Sequence, residues 1–157
     1  MARPSRRPGN LPAETTSFIG RRRELAELRQ KLGAARLLSV VGPGGVGKTR
    51  LALRAAAEVG RNFRDGTWFV GLGDVHDPRL VHNAAMAALD LRDQAATAPH
   101  EVVLRFLRDK RILLVFDNCE HLLDVISPII RWIVTASPTV TVIATSREPL
   151  GIQGEHV

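Results

Sequence analysis

Cysteine is almost absent from this chain. Cys119 stands alone, so no intramolecular disulfide can form, and no CxxC or paired His/Cys spacing offers a structural zinc site. Long apolar runs are missing as well. No stretch approaches the ~20 apolar residues of a membrane span, and the N-terminus lacks the apolar core of a secretory signal, so a cytoplasmic location is expected. Aromatic residues make up only 4%, and none interleaves with the N-terminal arginines to stack on nucleic-acid bases. Disorder is excluded for most of the chain, because 45% of its 157 residues are hydrophobic, enough for the core of one domain. The net charge of +6 is concentrated at the start, where residues 1–31 hold eight Lys/Arg against three Asp/Glu. Such an arm is either a solvated tether or a contact for an acidic surface such as nucleic acid.

Against these absences stands one dense motif. Gly42-Pro43-Gly44-Gly45-Val46-Gly47-Lys48-Thr49 fits G-x-x-x-x-G-K-[ST], a loop whose backbone N–H groups wrap phosphates. Its glycines permit close approach of the main chain, Lys48 reaches the β/γ-phosphates, and Thr49 can ligate Mg²⁺. The short apolar run Leu37 to Val41 predicts a strand before it, and the Ala/Leu/Arg-rich stretch Thr49 to Val59 a helix after it. That helix would aim its N-terminus at the phosphates.

The rest alternates between strands and helices. Residues 1–10, rich in Arg and Pro, are expected to be a flexible basic leader, with the ordered domain over 11–157. Leu25, Leu28 and Leu32 share one face of a helix over Glu24 to Leu32. Thr67 to Leu72 predicts a second strand. Asp77-Pro78 caps a helix to about Leu89; with Asp77 engaged as a cap, the neighbouring Asp74 and His76 read as part of a turn and not as metal ligands. Further helices are expected over Pro99 to Arg108 and from Ser127-Pro128 to about Ala136, with strands at Ile112 to Phe116 and Val140 to Thr145. Trp68 and Trp132 sit in apolar patterns and are expected in the core. Cys119 reads as a small buried thiol. The alternation predicts a doubly wound parallel sheet, with ligands at the carboxyl ends of its strands.

The polar residues of interest fall at those ends. Asp117, directly after an apolar strand, is placed to hold Mg²⁺ or its waters beside Thr49. Asn118 follows, where a proton-accepting carboxylate would favour hydrolysis, and an amide can orient water but takes no proton. The nearest acid is Glu120, which either acts on water or caps the next helix; His121 and a residue outside this chain are the other candidates for the base. Arg147, just past the fourth strand, is suited to a γ-phosphate through charge-assisted hydrogen bonds.

Four segments together are more specific than the loop alone. They are Phe18-Ile19-Gly20-Arg21 with Glu24-Leu25; the phosphate loop continued through Arg50-Leu51-Ala52; Leu114-Val115-Phe116-Asp117-Asn118-Cys119-Glu120-His121-Leu122; and Ala144-Thr145-Ser146-Arg147-Glu148-Pro149-Leu150. In this order they resemble the STAND class of signal-transducing P-loop ATPases, close to NB-ARC and AAA+ domains. Within it they resemble the ATPase module of large bacterial transcriptional regulators of the antibiotic-regulatory and LuxR-like kinds. The resemblance implies that Phe18, Ile19 and Arg21 line an adenine pocket and that Gly42 to Arg50 hold ATP or ADP. It also implies that Lys48, Asp117, Glu120 and Arg147 carry whatever hydrolysis occurs, and that the strand bearing Arg147 lies between the phosphate-loop strand and the Asp117 strand. Arg22 stands where the commonest form of the first motif has Glu. The chain stops at Val157, where the resemblance implies a fifth strand, and a helical lid, winged helix, repeat or DNA-binding modules would follow. The expected function is a nucleotide-dependent switch with weak ATPase activity that couples to assembly or DNA binding. Two rivals are an actively hydrolysing ATPase and a direct DNA binder acting through residues 3–7 and 21–23.

Overall fold

The structure, a computed structural model, describes residues 9–12, 22–43, 47–92 and 96–157. Helix α1 (Arg22–Ala34) leads into strand β1 (Leu37–Val41), followed by α2 (Lys48–Val59), β2 (Thr67–Gly71), α3 (Val81–Ala88), α4 (Pro99–Leu107), β3 (Leu113–Asp117), α5 (Leu123–Ala136) and β4 (Thr141–Ser146). All strand pairs are parallel, in the order β1-β4-β3-β2. This is the doubly wound sheet expected from the alternation, and β4 lies between β1 and β3.

Side chains on successive strand residues leave opposite faces of the sheet, so a strand covered on both sides must be apolar throughout. Strand β3 meets that demand. Leu113 and Val115 pack with Ala52 and Ala56 of α2, whereas Leu114 and Phe116 join Val102, Leu107, Ile126 and Ile130 on the face covered by α3, α4 and α5. Phe116 is fully buried, which stabilises the fold by about 1.5–3 kcal/mol relative to an exposed ring. Among the described residues no helix is long and apolar enough to cross a membrane.

Two expectations need correction. Helix α5 begins at Leu123 rather than Ser127, and Pro128 lies inside it. The stripe Ile126, Ile130, Ile133 is almost fully buried, and burying Ile126 outweighs the one backbone hydrogen bond that the proline cannot donate. Trp132 is 54% exposed rather than in the core. It precedes Ile133 by one residue, about 100° around the helix, and stacks on His100 with ring centroids 5.4 Å apart. Trp68 is partly buried against the core, as expected, and its indole N–H donates to the Asp65 carbonyl at 3.0 Å.

Described residues near both ends of the chain dock on sheet edges. Gly9 pairs with Thr67, and the Asn10 amide donates to the carbonyls of Phe69 and Ala88 at 3.0 and 3.1 Å. The last two residues of the expected leader therefore lie against β2. At the other edge His156 bridges Leu38 in parallel, where the resemblance places a fifth strand.

Candidate functional site

Three strands deliver their last residues to one place. Gly42 N–H donates to the Ser146 carbonyl at 3.2 Å, tying the start of the phosphate loop to the end of β4. Gly47 has φ 76°, the left-handed backbone that glycine adopts without strain, immediately before α2. From the first turn of α2, Lys48 Nζ folds back to donate to the carbonyls of Gly42 and Pro43 at 2.7 and 3.1 Å. Its ammonium is thus held at the mouth of the loop. Thr49 Oγ1 donates to Asp117 Oδ1 at 2.7 Å, bringing together the two residues that the sequence proposed as metal ligands. Arg50, one residue on, is exposed. Gly44, Gly45 and Val46 lie outside the described residues, as do Phe18, Ile19 and Arg21.

A further hydroxyl meets the same carboxylate. Thr145 is buried, donates to Asp117 Oδ1 at 2.6 Å and accepts from the Asn118 backbone N–H at 2.9 Å. Cys119 N–H then donates to the Thr145 carbonyl at 2.9 Å. Asp117 thereby accepts from the loop helix on one side and from β4 on the other. Thr145 had no role in the sequence reading. The signal was a hydroxyl near the end of an otherwise apolar strand, and only the β4-β3 pairing shows which carboxylate it faces.

Asn118 adopts φ 68°, which turns the chain sharply out of β3. With its amide nitrogen oriented toward Glu120, it donates to both carboxylate oxygens at 2.6 and 2.9 Å. Arg147 Nε lies 3.8 Å from Glu120 Oε1 while its side chain stays 67% exposed. Glu120 is therefore engaged by two side chains and caps no helix: α5 has Leu122 at its N-cap, with no side-chain bond there. Burial pushes the Cys119 thiol up to about 12, helped by the charges of Asp117 and Glu120. The residue stays a neutral thiol at physiological pH, unsuited to nucleophilic work. Asp77 accepts from the Arg79 N–H at 3.0 Å and so caps the 3-10 turn Pro78–Leu80, while the α-helix expected from Pro78 begins only at Val81; among the described residues no three His, Cys, Asp or Glu side chains cluster as a metal site.

The NB-ARC domain family profile matches residues 22–149, and the chain belongs to that family. An uncharacterized protein of Mycobacterium tuberculosis is 39% identical over 140 residues, covering 89% of this chain and 36% of the relative. The regulatory protein AfsR of Streptomyces griseus is 30% identical over 165 residues, covering 96% of this chain and 16% of that protein. The chain therefore spans only about a third or less of the length of these relatives. Among solved structures, a signal transduction ATPase with numerous domains (STAND) carrying a tetratricopeptide repeat sensor, from Pyrococcus horikoshii, superposes with a TM-score of 0.54 at 19% identity, over 92% of this chain and 23% of the other. The Aeropyrum pernix ORC2 protein, solved in ADPNP-ADP complexes, superposes at 0.56 and 11% identity, over 82% and 41%. These two share the fold, a P-loop NTPase sheet.

Proposed function

We propose that this chain is a nucleotide-binding switch domain, taking ATP or ADP with Mg²⁺ and passing the state of the site to other parts of a regulator. The observation that carries this reading is the Thr49–Asp117 contact at 2.7 Å, which sets an oxygen ligand from the phosphate loop beside one from β3. Two hard oxygen donors at the mouth of a phosphate loop suit Mg²⁺, which takes few protein ligands and completes its shell with water and phosphate oxygens. The bound ion would neutralise charge on the β- and γ-oxygens. Lys48 adds its ammonium to the same oxygens, and Arg147 is the group for the γ-phosphate. Its exposed guanidinium can leave Glu120 for a stronger, charge-assisted partner.

Glu120 is the candidate base for hydrolysis, but Asn118 and Arg147 both hold its carboxylate. Hydrolysis is accordingly slow, below ~1 per minute where typical enzymes run near ~10 per second. The names of the AfsR and STAND relatives support a signalling role. Coupling to winged-helix, repeat or DNA-binding modules, nucleotide-dependent oligomerisation and a cytoplasmic location belong to the same proposal.

Titrating a fluorescent ATP analogue against the wild type and Lys48→Ala tests it. Losing one hydrogen bond from a charged donor, about 1.5–3 kcal/mol, predicts binding weaker by roughly 10- to 150-fold with the fold intact by circular dichroism. Equal affinities would overturn the phosphate-loop assignment.

A further inference from the structure

The opposite end of the sheet carries a second electrostatic feature. The segments that enter the four strands, residues 35–36, 60–66, 108–112 and 137–140, hold Arg36, Arg61, Arg64, Arg108, Lys110 and Arg111 against Asp65 and Asp109. That is an excess of four positive charges in a chain whose net charge is +6. The four segments are bonded into one surface. Arg111 Nε donates to the Asn62 carbonyl at 2.7 Å, Thr139 Oγ1 to the Lys110 carbonyl at 2.6 Å, and Arg36 Nε to the Val140 carbonyl at 3.3 Å. A cavity of about 340 Å³ opens on it, lined by Arg29, Asn62, Arg111, Thr139 and Thr141 among others. Arg61, Arg64 and Arg108, from the same segments, are exposed. The side chains of Arg61 and Arg108 make no hydrogen bond or ion pair among the described residues.

We infer that this end of the domain binds the phosphate backbone of duplex nucleic acid, independently of sequence and at a distance from the nucleotide site. Five of the six cations are arginines, whose planar fork matches phosphate oxygens in pairs. Hydroxyl and amide groups line the cavity between them, as in backbone contacts that position a protein on a duplex. An acidic protein partner would call for a buried aromatic or aliphatic anchor. The large hydrophobics exposed among the described residues, Leu80, Trp132 and Val157, all lie outside these four segments, and the apolar residues that line the cavity, Leu32, Val59 and Phe63, are partly buried against the core. The surface is built from residues other than those of the N-terminal arm, whose Gly9 pairs with Thr67 next to it.

The test uses the 157-residue chain and a fluorescently labelled DNA duplex of about 20 base pairs and arbitrary sequence, followed by anisotropy. Four phosphate contacts predict affinity falling on the order of a hundredfold between about 50 and 200 mM salt, with a log–log slope near −3.6. Combining Arg61→Glu, Arg64→Glu and Arg108→Glu should abolish binding at about 50 mM salt, and the milder pair Arg61→Ala with Arg108→Ala should reduce the slope by about two. ATP affinity should stay within about twofold in both, so that failure here is distinct from failure of the nucleotide site. Three outcomes overturn the inference: no duplex binding by the wild type, binding abolished by Arg6→Ser with Arg7→Ser but not by the triple reversal, or poly-glutamate competing as well as DNA, charge for charge. The last would mark an acidic-protein surface instead.

Discussion

The two ends of this sheet are built from the same strands and do opposite things with polarity. The segments leaving the strands, residues 42–47, 72–77, 118–122 and 147–152, hold Asp74, Asp77, Glu120 and Glu148 against Arg147 alone. The segments entering them are strongly cationic. At the carboxyl ends the polar groups are few and bonded to one another: Thr49 and Thr145 both reach Asp117, and Asn118 reaches Glu120. At the amino ends the charges are spread over exposed side chains. The difference teaches that net charge says little about where a parallel sheet binds its small ligand. The phosphate loop itself has no charged residue before Lys48. Its proposed hold on phosphate uses backbone dipoles and one ammonium, whereas the segments entering the strands carry an excess of four positive charges that a long polyanion could meet.

If the ends act separately, the largest separation should come from Arg147. Its proposed partner, the γ-phosphate, is absent from ADP, so Arg147→Ala should cost ATP about 1.5–3 kcal/mol, roughly 10- to 150-fold, and ADP almost nothing. Duplex binding should not change. Calorimetry with each nucleotide measures the first pair, and anisotropy the control. An equal loss for ATP and ADP would remove the sensor role, and a parallel loss of duplex affinity would join the two ends into one site.

Much of this frame was legible in the sequence. The apolar runs at Leu37 to Val41 and Ile112 to Phe116 announced buried parallel strands because both of their faces had to be covered, and the loop motif marked the end proposed to bind nucleotide. What could not be seen depends on neighbours across the sheet. Trp132 sits in an apolar helix, but its direction follows from which stripe faces the sheet. Thr145 meets Asp117 only because β4 pairs with β3. The cationic end is invisible in linear sequence, since its residues come from three separate segments that flank different strands. The N-terminal cluster, by contrast, is conspicuous because it is contiguous.

A smaller effect is expected from Thr145→Val, which keeps the shape and removes the hydroxyl. It leaves the partly buried Asn118 N–H without its acceptor and takes one donor from Asp117, a change of about 1–2 kcal/mol. Nucleotide affinity with Mg²⁺ should fall roughly 5- to 30-fold, with little change in EDTA, and Thr145→Ser should restore it. Loss of the same size without the metal would mean that Thr145 supports the fold of β4 and not the set of Asp117. Duplex binding again provides the control.

The smallest effect should come from Asp65, one of the two acids at the cationic end. Asp65 accepts from the Arg111 N–H at 2.8 Å and lies 3.5 Å from Arg64 Nε. The Arg111 backbone bond chiefly, with the nearby charges of Arg64 and Lys110, holds its carboxyl below the ordinary value of 3.8, against a smaller upward push from burial. A carboxylate depressed in the folded state contributes stability that is present above its unfolded pKa and lost as the pH falls through the folded one, here below about pH 4. Its side chain is 29% exposed, so water screens the contribution to less than about 1 kcal/mol. Asp65→Asn should therefore lower the urea midpoint slightly at pH 6, with the difference closing as the pH drops toward 3. The same substitution removes a negative charge from the surface proposed to hold DNA, so duplex affinity should rise by about two- to threefold at low salt. Stability and duplex binding thus move in opposite directions through one side chain. A stability difference that persisted unchanged to pH 2, or a duplex affinity that fell with it, would show that Asp65 shapes the loop rather than moderating the charge of that end.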